Sequence, residues 1–262
     1  MMSAKPFRKG IILTSQRSGS TFLKGCLDAH PEIRCYGELL VGGNHEPSRP
    51  VLGSRLLTKG YCYITGRCWN PERVMDTYYG RREAPVVLFK AMYNHADNPR
   101  VRKYLADDRD IRVIHLRRDN LLKQYVSRRL IHAKHERGWR PHSTYKLPAV
   151  AVRISPRHAI AQMSRVRDTY HDFERLFSRH RKIELLYEEL FNGPTLSNDA
   201  WRAVCGLLEI EHAEDATSNL VKINPNRLRP MVKNYDELAD ALAGTEFEKY
   251  LDQEPAEALA SA

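Results

Sequence analysis

Long apolar runs are what this sequence most plainly lacks. None reaches the roughly 18 residues that a bilayer-spanning helix needs, and the first residues carry no signal-type apolar core. The chain is therefore expected to make no stable membrane insertion and to work in a cytoplasm. Cysteine is scarce as well. The five present (Cys26, Cys35, Cys62, Cys68 and Cys205) are scattered, odd in number and without a Cys-x-x-Cys pair. That spacing excludes a disulfide framework and a zinc site and fits reduced thiols. No set of His, Cys, Asp and Glu has the spacing of metal ligands, so no metal is expected. Internal repeats are absent, and low complexity is confined to the Ala-rich tail after Pro255.

What is there is a basic chain with enough apolar residues to fold. Its 262 residues and 42% hydrophobic content suffice for one good core, so the default is a single domain over 1–262. A formal net charge of +10 and a pI near 9.4 point to anionic partners. The basic residues are not interleaved with aromatics along a stripe, so nucleic acid is not the expected one. Strands are read at 11–14, 33–36, 85–89, 111–116 and 183–186. Helices are read at 22–29, 71–79, 99–105, 121–132, 158–179 and 201–208, with a terminal helical region over 234–250. In the long one, Ile160, Met163, Val166, Tyr170, Phe173 and Phe177 trace one apolar face. Residues 41–84 and 133–157 are read as insertions on the substrate side. Strands apolar on both faces that alternate with helices predict an α/β fold of three layers, α/β/α, around a mainly parallel sheet.

In such sheets ligands gather beyond the carboxyl ends of the strands. The first polar groups expected there are Arg17, Glu38, Lys90, Arg117 with Arg118, and Tyr187 with Glu188. Cations dominate, and one carboxylate stands near the first loop. That loop, Thr14-Ser15-Gln16-Arg17-Ser18-Gly19-Ser20-Thr21, joins an apolar strand to a helix. Such a turn aims backbone N–H groups outward, with the positive end of the helix dipole behind them. Gly19 permits close approach, Ser18, Ser20 and Thr21 add hydroxyls, and Arg17 adds a permanent cation. Its natural guest is one tetrahedral anion. A nucleoside-triphosphate loop would need Gly-x-x-x-x-Gly-Lys-Ser/Thr, and here the first Gly and the Gly-Lys pair are missing.

Arg17-Ser18-Gly19-Ser20-Thr21 resembles the 5′-phosphosulfate-binding motif of sulfotransferases that use 3′-phosphoadenosine-5′-phosphosulfate (PAPS). The variant is that of bacterial and carbohydrate-type members. A second segment runs from Val113 through Arg117, Arg118 and Asp119 to Ser127. A strand empties into a double Arg there, and the next helix brings a Ser back to the same side. It is similar to the 3′-phosphate-binding motif of the same family. It departs in having no Pro and nine positions, not eight, between Arg118 and Ser127, which leaves open whether Arg117 or Arg118 makes the contact. Tyr187-Glu188-Glu189-Leu190 looks like the structural Tyr-Glu-x-Leu of many members. Residues 221–226 and 234–238 resemble the C-terminal segment of bacterial ones, in which Lys222 would reach the cofactor. The resemblance implies a P-loop-like strand-loop-helix, PAPS as co-substrate without a metal, and a hydroxylated acceptor: carbohydrate, glycolipid or small metabolite.

It also implies a mechanism. Charge develops on the bridging oxygen of the leaving phosphate, where Arg17 and the 18–21 loop would stabilise it, while a base takes the acceptor proton. Cytosolic members place a His just after a Lys on the third motif strand. Here that neighbourhood is Lys90-Ala91-Met92, and His95 lies further on. Glu38 stands where carbohydrate-type members carry a Glu after the second strand. Glu38 is taken as the base, with His95 as the alternative, and Lys90 is assigned to the transferring sulfonate. Two other classes compete. A P-loop-like nucleotide or small-molecule kinase lacks the Gly-Lys pair and a strand-end Asp for magnesium. A nonenzymatic polyanion or nucleic-acid binder accounts for the charge but not for cations gathered at strand ends.

Overall fold

The structure, a computed structural model, describes residues 6–40, 70–136, 150–193, 195–211 and 227–252. In chain order the elements are β1 (Arg8–Thr14), α1 (Ser20–Asp28), β2 (Ile33–Tyr36), α2 (Pro71–Gly80), β3 (Val86–Met92) and α3 (Tyr93–Ala96). Next come α4 (Pro99–Asp107), β4 (Arg112–Arg117), α5 (Leu121–Glu136), α6 (Pro156–Leu176) and β5 (Lys182–Leu186). A two-residue hairpin, β6 (Phe191–Asn192) and β7 (Thr195–Leu196), precedes α7 (Asn198–Leu208) and α8 (Tyr235–Leu242). The chain divides into two compact units. One holds Met1–Arg117 with Asp172–Asn219, the other Arg118–His171 with Leu220–Ala262.

The first unit is a parallel α/β sheet in the order β2-β3-β1-β4-β5. β1 is central, and its residues 10–14 are all buried. Ile11, Ile12 and Leu13 are fully buried between Phe89–Ala91 on one side and Val113–His115 on the other. Strands apolar on both faces need helices above and below, which is the predicted three-layer α/β arrangement. From β1 the chain turns through α1 towards the β2 edge, whereas from β4 it leads to β5 at the other. Chain paths that diverge in this way leave a crevice beyond the carboxyl end of β1.

Local chemistry explains the helix starts. Asn70 and Asn98 each precede a proline at the first helical position, and each side-chain oxygen accepts an early backbone N–H, from Arg73 and Arg100. α1 stops before Pro31, and the Asp28 carboxylate accepts the Cys35 N–H at 2.9 Å, tying the helix end to β2. Of the expected insertion 41–84, residues 41–69 lie outside the described ones. The remainder contains α2, which packs on the sheet. Met75 and Tyr79 are buried, and the Tyr79 phenol donates to the Gly10 carbonyl at 2.9 Å. Of 133–157, the first residues continue α5 to Glu136, and 137–149 are outside the described residues.

The second unit has its own core, in which Leu122, Val126, Leu130, Met163, Leu228 and Leu238 are buried together. A parallel bridge joins Val152 to Val232, and Asn234 prolongs it with its side chain. Asn234 Oδ1 accepts from Ile154 N at 2.9 Å, and Nδ2 donates to Ile154 O at 2.8 Å. One side-chain amide thus replaces a strand partner. The Asp252 carboxylate closes the unit by accepting the N–H groups of Leu228 (2.6 Å) and Arg229 (2.9 Å).

Candidate active site

The loop after β1 has the form that the sequence predicts. Gly19 is the N-cap of α1 with φ 81°, in the left-handed region, and supplies no side-chain cap. No acidic residue stands in the first turn to occupy that end of the dipole. Arg17 is also left-handed, at φ 67°, a conformation that costs a non-glycine residue about 1 kcal/mol. Ser18 is fully buried, its hydroxyl 3.1 Å from that of Ser15, and Ser20 is buried as well. Two aromatic rings back the glycine. A Cβ on Gly19 would come within 2.7 Å of Tyr187 and 3.4 Å of Phe191. Phe191 packs against Phe22 and Tyr187, with centroids at 4.6 and 4.9 Å. It is the exposed large apolar side chain among the described residues. Phe191 drew no attention in the sequence, since its place beside Gly19 comes from the β6–β7 hairpin.

Lys90 requires a correction. It does not lie past a strand end but inside β3, in register with Ile12, and the strand continues to Met92 because Ala91 and Met92 pair with Leu13 and Thr14. Its side chain is only 9% exposed, so its charge needs partners. It has two. Lys90 Nζ lies 3.3 Å from Thr21 Oγ1 on the anion loop and 3.3 Å from Glu38 Oε1. The proposed base and the anion loop therefore share one buried cation.

His95 belongs to the same group. α3 is a single turn directly after β3, and it returns His95 to within electrostatic reach of Glu38 and Lys90. Burial pushes the imidazole below its ordinary pKa, with Glu38 opposing and Lys90 reinforcing the shift, and His95 Nδ1 is buried without a hydrogen-bond partner. No four-residue helix is legible from apolar spacing, since its length is about one helical period.

The other candidates are divided between the two units. Arg117 ends β4, and its Nε is ion-paired with Glu184 of β5. Arg118 and the buried Ser127, on α5, belong to the second unit. Lys222 is outside the described residues. Among the described residues no three or more His, Cys, Asp or Glu side chains are grouped to hold a metal ion, and no helix is long and apolar enough to cross a membrane.

No protein-family model matches the sequence, and no curated protein matches it significantly. Among solved structures, the chain is similar to the sulfotransferase from Alicyclobacillus acidocaldarius. The two are 18% identical, with a TM-score of 0.49 over 96% of this chain and 98% of that one. No residue role is carried over from it.

Proposed function

We propose that the chain transfers a sulfonate from PAPS to the hydroxyl of a carbohydrate, glycolipid or small metabolite, in a cytoplasm. The observation that carries this reading is the position of Lys90, 3.3 Å from both Thr21 and Glu38. A loop suited to one tetrahedral anion, a buried ammonium and a carboxylate are the three parts such a transfer asks of a protein. The loop's fit is supported by the uncapped start of α1 and by Gly19, whose Cβ would displace the aromatic rings behind it.

PAPS, when bound, supplies the activated sulfonate. The chain's residues do the rest. Arg17 and the Ser18–Thr21 loop bind the phosphosulfate end and stabilise charge that grows on its phosphate oxygens. Lys90 neutralises the sulfonate oxygens. Glu38 accepts the acceptor's proton as the hydroxyl attacks. Arg117 or Arg118, with Ser127, holds the 3′-phosphate, and Lys222 adds a further contact to the donor. No step in this scheme calls for a metal.

Thermal unfolding tests the reading. Adenosine 3′,5′-bisphosphate in the presence of EDTA should raise the melting temperature, because a ligand that binds only the native state stabilises it. ATP with magnesium should not. A shift with ATP-magnesium alone would transfer the site to a kinase.

A further inference from the structure

Behind α3 lies a buried polar chain to which the sulfonate chemistry assigns nothing. His115, on β4, is 1% exposed. Its Nε2 is 2.7 Å from the Tyr93 hydroxyl and its Nδ1 is 2.9 Å from Glu174 Oε1. Glu174 Oε2 in turn accepts from Lys182 Nζ at 2.5 Å. Tyr93 opens α3, and its ring also packs on Phe173, with centroids at 5.2 Å.

The proton positions follow from the partners. Burial opposes ionisation of Glu174, but hydrogen bonds from Lys182 and His115 outweigh it and hold the carboxyl below its usual range. An ionised carboxylate only accepts, so His115 Nδ1 must carry the hydrogen it donates. Burial keeps the imidazole neutral against the pull of Glu174 and Glu184, with Lys182 helping. Nε2 is then an acceptor, and the Tyr93 hydroxyl is the donor. Each group in the chain has one compatible role.

A one-turn helix has no stability of its own, since nucleation is the unfavourable step. The Met92 cap of α3 supplies no side-chain bond either. Something outside the helix must hold it. We propose that His115 is a positioning residue: through the Tyr93 hydroxyl it fixes α3, and with it the place of His95 beside Glu38 and Lys90. This rests on the proposed function for its catalytic consequence, but not for its structural one.

Two readouts test it on the full chain. In ¹⁵N-histidine-labelled protein, the His95 titration should lie below the ordinary value of 6.5. Tyr93→Phe and His115→Phe should both move it up towards that value, and His115→Gln should not. A carboxamide presents an acceptor and a donor side by side, as the ring does. With PAPS and an acceptor, kcat of the two Phe variants should fall about 10- to 100-fold. KM for PAPS and affinity for adenosine 3′,5′-bisphosphate should stay within a few-fold, and the Gln variant should recover most of the rate. A merely structural role would lower the melting temperature without this split or rescue. If the parent protein neither binds the bisphosphate nor turns PAPS over, the functional reading fails. The His95 titration still decides the role of His115. Should His115→Phe not fold, Tyr93→Phe, which deletes one hydroxyl, gives the answer. An unmoved His95 titration in Tyr93→Phe overturns the proposal.

Discussion

Two oxygens share the Lys90 ammonium, one from the anion loop and one from Glu38. Any anion that enters the loop competes for the same cation, so the carboxylate is loosened where the acceptor must be deprotonated. Glu38→Gln keeps the shape and the contact with Lys90 but cannot take up a proton. Its turnover should fall by about 10²- to 10⁴-fold with bisphosphate affinity little changed, while His95→Asn should lose no more than the 10- to 100-fold expected when α3 is released. A Glu38→Gln enzyme within a few-fold of the parent, with His95→Asn dead, would give the base to His95. Gly19 makes a second demand on a single position. Its φ of 81° and the 2.7 Å from a Cβ to Tyr187 leave no room for alanine. Gly19→Ala should lose bisphosphate binding in calorimetry and melt earlier, the backbone part alone costing about 1–2 kcal/mol.

At the scale of elements, α7 is fastened to the sheet by its C-cap residue. Glu209, left-handed at φ 51°, accepts hydrogen bonds from Arg112, Arg8 and Arg181, which bring its carboxyl down to about 2. Arg8 opens β1 and Arg112 opens β4, so one side chain ties the helix to two strand starts. Glu209→Gln should lower the melting temperature at pH 7, and the gap to the parent should close as the pH falls towards 2. A gap independent of pH would mean that packing, not charge, makes the latch. In the second unit Asn234→Ala removes both bonds to Ile154 and should cost about 1–3 kcal/mol in urea unfolding. The strands and the longer helices were legible because buried parallel strands read as apolar runs and Asn-Pro marks a helix start. α3 and the β6–β7 hairpin were not. They are only about one period of their own pattern long, and tertiary contacts such as Tyr93–His115 hold them.

For the whole molecule, two histidines drawn partly or wholly out of water set the acid limit. His95 and His115 are both held below their ordinary values, chiefly by burial. The unfolded chain then binds more protons than the native one as the pH drops through about 6.5, so stability falls from neutral pH downwards. Urea midpoints at pH 7.5, 6 and 5 should decrease in that order, and a flat series would contradict the buried, neutral imidazoles. We further propose that 1–262 is one folding domain, to be checked as a single calorimetric transition. Of the candidate site, Arg17, Ser18–Thr21, Glu38 and Lys90 could be nominated from the sequence as single residues. Its wiring was not. That Lys90 sits inside β3, bridging Thr21 and Glu38, depends on register, which no residue type announces.

The proposed sulfonate transfer from PAPS by these residues is read out as acceptor-dependent turnover. PAPS is incubated with the protein in EDTA across a panel of carbohydrates, glycolipids and small hydroxylated metabolites, and release of adenosine 3′,5′-bisphosphate is followed. Release should rise with one acceptor class, survive EDTA and fall by about 10²- to 10⁴-fold in Glu38→Gln. Phosphoryl transfer from ATP that needs magnesium, with PAPS left intact across the panel, would contradict it.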